Sequence, residues 1–229
     1  MRRYLLFILA AFILACSPVR KYRNLPEVLS WENDIQKFEQ LDKSEKYPDD
    51  AILFAGSSSI RLWETLGRDM APYSVIQRGF GGSKLSDLAV YADRIFTPHP
   101  CKAIVIFVAN DITGSEKDKT PKEVASLYEN VLKTIRVSHP VTPVFWIEIT
   151  PTQSRWKVWP VIQQGNALIK DMCSKSKNTY FISTSSAFLD DSGVPKPELF
   201  RDDKLHLTPQ GYAVWTKIIK KDLDKVLLK

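Results

Sequence analysis

A chain of 229 residues, 44% hydrophobic and 25% charged, with six tryptophans and eleven phenylalanines, has the composition of a folded globular protein and excludes a disordered one. With a short leader set aside, the length suits one domain with a sizeable apolar core. The formal charge of +6 is a mild excess scattered among acids, with no basic block and no nucleic-acid module, so a nucleic-acid partner is not expected.

At the start, Arg2 and Arg3 precede an unbroken apolar run from Tyr4 to Ala15, followed by Cys16 and Ser17. A bilayer core needs about twenty helical residues, so this shorter run reads as the hydrophobic part of an export signal. The last four residues, Ile13-Leu14-Ala15-Cys16, resemble a lipobox. That resemblance implies cleavage before Cys16, lipidation of Cys16 and anchoring of a bacterial lipoprotein in the cell envelope, periplasmic or outer-membrane. Pro18, Arg20, Lys21, Arg23 and Pro26 then form a stretch without apolar periodicity. The expected organisation is a signal peptide over 1–15, a tether over 16–26 and one domain over 27–229. Cys101 and Cys173 are too few for a disulfide scaffold and are expected to be buried free thiols.

Trp31, Ile35, Phe38 and Leu41 recur at helical spacing, and Pro48 bounds that helix. Short apolar runs then appear at Ala51–Phe54, Val75–Ile76, Ala103–Val108, Val144–Ile149 and Tyr180–Ile182. Between and after them lie segments of helical periodicity, roughly Ile60–Leu66, Leu85–Ile95, Pro121–Val137, Trp159–Ser174 and Pro209–Leu228. Thr120-Pro121 and Thr208-Pro209 are helix-start signals, a capping hydroxyl followed by a proline whose missing N–H costs nothing in the first turn. Continuous apolar strands joined by helices imply a five-stranded parallel sheet covered on both faces, a three-layer α/β/α sandwich. Ligands of such sheets bind beyond the carboxyl ends of the strands.

Four segments at those ends carry chemistry. After the first strand, Gly56-Ser57-Ser58-Ser59 leads into a helix, a turn that would project a serine above the sheet, with helix capping as the plainer role. After the second, Gly79-Phe80-Gly81-Gly82 allows backbone N–H groups to approach a ligand, and Gly82 is an oxyanion-donor candidate. No phosphate-loop pattern accompanies it. The third strand breaks at Ala109-Asn110-Asp111, where Asn110 has a carboxamide N–H₂ to donate and Asp111 reads as a local cap. The fourth segment, Asp203-Lys204-Leu205-His206, spaces a carboxylate and an imidazole three apart, close enough in a turn for the acid to orient the ring. His99 and His139 each precede a proline in loops entering strands, at the opposite end of the sheet, and are expected to be structural. The loop after the fourth strand, with Thr150-Pro151-Thr152, Arg155 and Trp156, is a candidate pocket wall. No His or Cys pair stands at ligand spacing, so neither a metal nor a cofactor is expected.

In this order the four segments resemble the GDSL or SGNH hydrolases, over about Ile52 to Leu223 and most specifically from Glu198 to Trp215. The resemblance implies a flavodoxin-like SGNH fold and a serine esterase. Ser58 would be the nucleophile, His206 its base and Asp203 the orienting acid, with Ser58, Gly82 and Asn110 as the oxyanion hole. Two positions depart: Ser57 stands where the family has aspartate, and Val108 where it has glycine. The Gly-Ser-Ser-Ser variant followed by Ile-Arg-Leu-Trp is similar to platelet-activating-factor acetylhydrolases and bacterial carbohydrate esterases, which implies short acyl groups, acetyl first, on a small ester or an acylated glycan. The alternatives are a lysophospholipase or thioesterase of the same fold, or a tethered binding protein without turnover. The oligomeric state is open.

Overall fold

The computed structural model describes residues 18–228; the export signal and Cys16 lie outside the described residues. Five strands, β1 (Ile52–Gly56), β2 (Val75–Gly79), β3 (Ala103–Phe107), β4 (Val144–Ile147) and β5 (Thr179–Ile182), form one sheet in the order β2-β1-β3-β4-β5. Every pairing is parallel. Every residue of β1 and β3 is buried, as strands sandwiched between helix layers must be.

The long helices are α1 (Glu32–Ser44), α2 (Leu85–Phe96), α3 (Pro121–Ser138), α4 (Trp159–Lys175) and α5 (Pro209–Leu227). Alternation along the strands sorts the two layers. Trp146 of β4 turns towards Tyr128 of α3, with ring centroids 4.7 Å apart, while its neighbour Phe145 stacks on Tyr180 of β5 at 4.9 Å. Phe107 of β3 meets Trp215 of α5 at 4.7 Å, and Trp215 also packs on Trp63. The expected helix starts hold: Thr120 Oγ1 accepts from the Glu123 N–H at 3.2 Å, and Thr208 Oγ1 from the Gly211 N–H at 3.2 Å. Cys101 and Cys173 are free thiols, and burial pushes them up to about 12 and about 11.

Three segments differ from the reading of the sequence. The stretch up to Leu25 is not an open tether: residues 18–24 run in turns against the domain, and Val19 is 2% exposed within the core. The expected helix over Ile60–Leu66 divides into two single turns, Ser58–Arg61 and Leu66–Asp69. Between them Trp63 drops into the core against Phe54 and Tyr212, its Nε1–H donating to Asp69 Oδ2 at 2.8 Å, and a continuous helix does not make that bend. In α1, Ile35 is fully buried but Leu41 is 36% exposed. The following residue, Asp42, instead turns inward to pair with Arg78.

Because β2 lies on one side of β1 and β3 on the other, the chain reverses direction between them. The loops after β1 and β3 therefore diverge and leave a crevice over the carboxyl ends of these two strands. Ser58 follows the first and Asn110 the second.

Candidate active site

Gly56 ends β1 with φ of 146°, and a Cβ there would lie 1.9 Å from the Phe107 carbonyl oxygen, so only glycine lets the two strands close up at this point. That carbonyl accepts from the Ser57 N–H at 3.0 Å, and the chain then turns into the Ser58–Arg61 helical turn. The Tyr212 hydroxyl of α5 donates to the Ser59 carbonyl at 2.8 Å, fastening the turn from the other layer. Ser57, in place of an aspartate, is buried and faces the site cavity.

The Asp203–His206 turn is built by its own side chain. Lys204 takes a left-handed φ of 58°, and the chain curls so that Asp203 Oδ1 accepts from the N–H groups of both Leu205 and His206, at 2.9 Å each. Oδ2 is left for His206 Nδ1, 2.6 Å away. Burial pushes the Asp203 carboxyl up, but the His206 ring and the two backbone donors outweigh it and hold the group below its ordinary range. With Nδ1–H donated to the carboxylate, Nε2 carries the lone pair, and it stands 2.9 Å from Ser58 Oγ. Residues 148 positions apart thus meet as hydroxyl, imidazole and carboxylate in series.

Asn110 lies at the opposite wall. Its Nδ2 donates to the Ser83 carbonyl at 2.9 Å, and its Oδ1 accepts from Arg155 Nη2 at 2.6 Å. Arg155 also donates from Nη1 to the Ala109 carbonyl at 2.6 Å, so each of its terminal nitrogens makes one bond to the loop after β3. Asp111 is not a local cap: its Oδ2 accepts from the Leu85 N–H at the start of α2, 2.7 Å away, and Oδ1 pairs with Lys119 at 2.9 Å. A carboxylate at a helix N-terminus is favourably placed, and this one joins the loops after β2 and β3.

A cavity of about 20 Å³ opens between Ser58, His206 and Asn110, walled by Phe107, Thr150, Thr152, Arg155, Phe200 and Trp215. Of the candidate wall after β4, Thr150, Thr152 and Arg155 line this cavity. Trp156 is not part of it; it lies parallel to Trp159 at 6.3 Å, packed against the core. Gly82, with φ of 84°, adjoins Ser83 but faces a neighbouring groove of about 440 Å³ in which the Trp31 ring covers it. A larger groove of about 710 Å³ between α3 and α4 has no histidine in its lining. Sequence reasoning missed the bond from the Ser154 N–H to the Lys204 carbonyl at 3.1 Å, which ties the loop after β4 to the Asp203–His206 turn. No local pattern signals a contact between backbone groups so distant in the chain.

A parallel sheet of this order, with a hydroxyl, a base and an acid in line at its crevice, defines the class: a three-layer α/β/α hydrolase. The family model for the GDSL-like lipase/acylhydrolase family matches residues 47–214, and the chain belongs to that family and is a carboxylic ester hydrolase. A comparison with curated protein sequences finds no match. Among solved structures, the chain is similar to a candidate platelet activating factor from Streptococcus pneumonia, with 20% identity, a TM-score of 0.74 and coverage of 96% of this chain and 99% of that one. It is also similar to a GDSL-like lipase from Bacteroides thetaiotaomicron, with 17% identity, a TM-score of 0.65 and coverage of 84% and 98%. A third likeness is to a family 3 carbohydrate esterase from Clostridium thermocellum, with 16% identity, a TM-score of 0.60 and coverage of 78% and 98%. At these identities the likenesses speak for the fold.

Proposed function

We propose that this ester hydrolase removes short acyl groups, acetyl first, from small esters or acylated glycans, with Ser58 as nucleophile, His206 as general base and Asp203 as its orienting acid. The observation that carries the reading is the unbroken series from Ser58 Oγ to His206 Nε2 at 2.9 Å and from His206 Nδ1 to Asp203 Oδ2 at 2.6 Å. His206 takes the Ser58 proton as Oγ attacks the ester carbonyl. The tetrahedral oxyanion then needs donors: the Ser58 N–H and the second Nδ2 hydrogen of Asn110 belong to residues that line the cavity, and the Gly82 N–H is a candidate from the family resemblance alone. Collapse expels the alcohol, which takes the proton from His206, and water releases the acyl group by the same path in reverse.

Acyl length is argued from space. A cavity of about 20 Å³ holds little more than one water molecule, or a methyl group, and its walls include Phe107, Phe200 and the fully buried Trp215. A longer chain would have to displace these rings or lie outside the cavity.

Labelling with a serine-reactive fluorophosphonate, followed by turnover of acetyl, butyryl and octanoyl nitrophenyl esters and of acetylated sugars, tests the reading. The wild type is expected to label and to prefer acetyl, and Ser58→Ala to do neither. Equal labelling of the variant removes Ser58 from the role; preference for octanoyl esters or lysophospholipid removes the short-acyl assignment and leaves the triad.

A further inference from the structure

Arg155 is a half-buried cation with no carboxylate in contact among the described residues. Its terminal nitrogens bond two neutral oxygens on the loop after β3, the Ala109 carbonyl and the Asn110 side-chain oxygen, both at 2.6 Å. Burial makes its charged form less favourable than in water, with only the more distant charges of Asp118 and Asp111 in compensation. A guanidinium kept in this state at the edge of a small cavity calls for an explanation other than stability, because an apolar side chain would fill the same space without desolvating a charge.

The carboxamide beside it supplies one. The nitrogen and oxygen ends of Asn110 are nearly the same size, so sterics alone do not choose between its two flips. Two partners choose. The Ser83 carbonyl, 2.9 Å from Nδ2, accepts only from the nitrogen end, and the guanidinium, 2.6 Å from Oδ1, donates only to the oxygen end. In the flipped carboxamide, oxygen would face the Ser83 carbonyl and N–H₂ would face the cation. One Nδ2 hydrogen is held by Ser83 and the other is left for the cavity that Asn110 lines. A charge-assisted bond at the oxygen also draws electron density from the nitrogen and makes that free N–H a stronger donor.

We propose that Arg155 is a positioning residue of the oxyanion hole: it fixes the flip of Asn110 and polarises its free N–H towards the developing oxyanion. The inference rests on the ester-hydrolase reading given above. Arg155 acts through Asn110 and does not need to touch the substrate. Its effect therefore falls on the transition state and on kcat, with KM little changed. The loop after β4 is also joined to the Asp203–His206 turn, since the neighbouring Ser154 N–H holds the Lys204 carbonyl at 3.1 Å, but that is a backbone bond which substitution of Arg155 does not remove.

The test is a double-mutant cycle on acetyl ester hydrolysis with Asn110→Ala, Arg155→Ala and the pair, each checked for a cooperative melt, alongside Arg155→Lys. Asn110→Ala is expected to lower kcat by roughly a hundredfold, the usual loss for one oxyanion donor. Arg155→Ala should lower kcat by at least about tenfold with KM within about twofold, and the pair should be no slower than Asn110→Ala alone, because a carboxamide that is gone cannot be misplaced. Arg155→Lys, which keeps the charge but not the fork, should recover part of the loss. Additive losses in the pair, or a change confined to KM, would overturn the proposal while leaving the hydrolase reading in place. If Arg155→Ala does not fold, the same cycle run with Arg155→Lys decides it by the same criterion. A wild type that neither turns over esters nor reacts with the fluorophosphonate overturns both together.

Discussion

The two ends of the sheet use histidine in opposite ways. At the carboxyl end, His206 has one ring nitrogen on the carboxylate of Asp203 and the other on a hydroxyl, Ser58 Oγ, that has a proton to give. Beyond the amino ends of β3 and β4, His139 bonds through Nε2 to the Phe96 carbonyl at 2.8 Å, and His99 lies 3.0 Å from Asp42, which Arg78 already pairs. Both are 6% exposed. The other ring nitrogen of His139 lies 4.0 Å from the Cys101 thiol, but burial pushes that thiol up to about 12 and keeps it from being a ready nucleophile. The difference is therefore not in the imidazole but in what it faces, and an acid beside a ring, which His99 also has, makes a relay only when a hydroxyl stands on the other side.

The sharpest way to break this comparison is to exchange its consequences. His206→Ala is expected to lower kcat/KM on acetyl esters by about 10⁴-fold or more while the thermal midpoint stays close to wild type, because it removes the proposed base and little packing. A loss below about tenfold would mean that the Ser58–His206 contact is not the reacting one. His139→Ala should do the reverse. It leaves the buried Phe96 carbonyl without its partner and costs about 1–3 kcal/mol, read from urea melts, with kcat per folded molecule unchanged. The smallest effect is at His99. Burial is the main cause holding its protonated form down, ahead of the opposing pull of Asp42 and the repulsion of Arg78, so its folded value lies below the ordinary 6.5. The unfolded chain then binds the proton first as pH falls through 6.5, and stability should decline on acidification by at most about 1.4 kcal/mol per pH unit. Urea melts at falling pH check the slope, which His99→Gln should flatten in that window; a slope unchanged in the variant would assign the decline to other groups.

Much of the fold was legible because its signals are local. Runs such as Ala103–Val108 are too apolar and too short for anything but a buried strand, and Thr120-Pro121 and Thr208-Pro209 mark helix starts that the structure places at those residues. The Asp203–His206 pair was legible for the same reason, since its geometry is contained in one turn closed by the acid's own hydrogen bonds. Trp63 shows where that reading stops: its pattern fits a helix, and only its neighbours Phe54 of β1 and Tyr212 and Trp215 of α5 make burial of the ring worth breaking that helix. Val19 is similar, since nothing around it in the chain shows that a core surface waits for it.

By itself, then, the sequence determined the alternation of strands and helices, the strand ends with their glycine, serine and asparagine, the Asp203–His206 turn before the last helix, and the family likeness those residues carry. Only the tertiary structure decided that Ser58 and His206 meet across 148 positions, that Trp156 packs inward while Arg155 grips Asn110, and that the cavity between Ser58, His206 and Asn110 is about 20 Å³. The physical reason is range. Periodicity, capping and turn chemistry act within a few residues and are written in order along the chain, whereas the partner of a side chain and the volume beside it are set by which distant elements the core brings together.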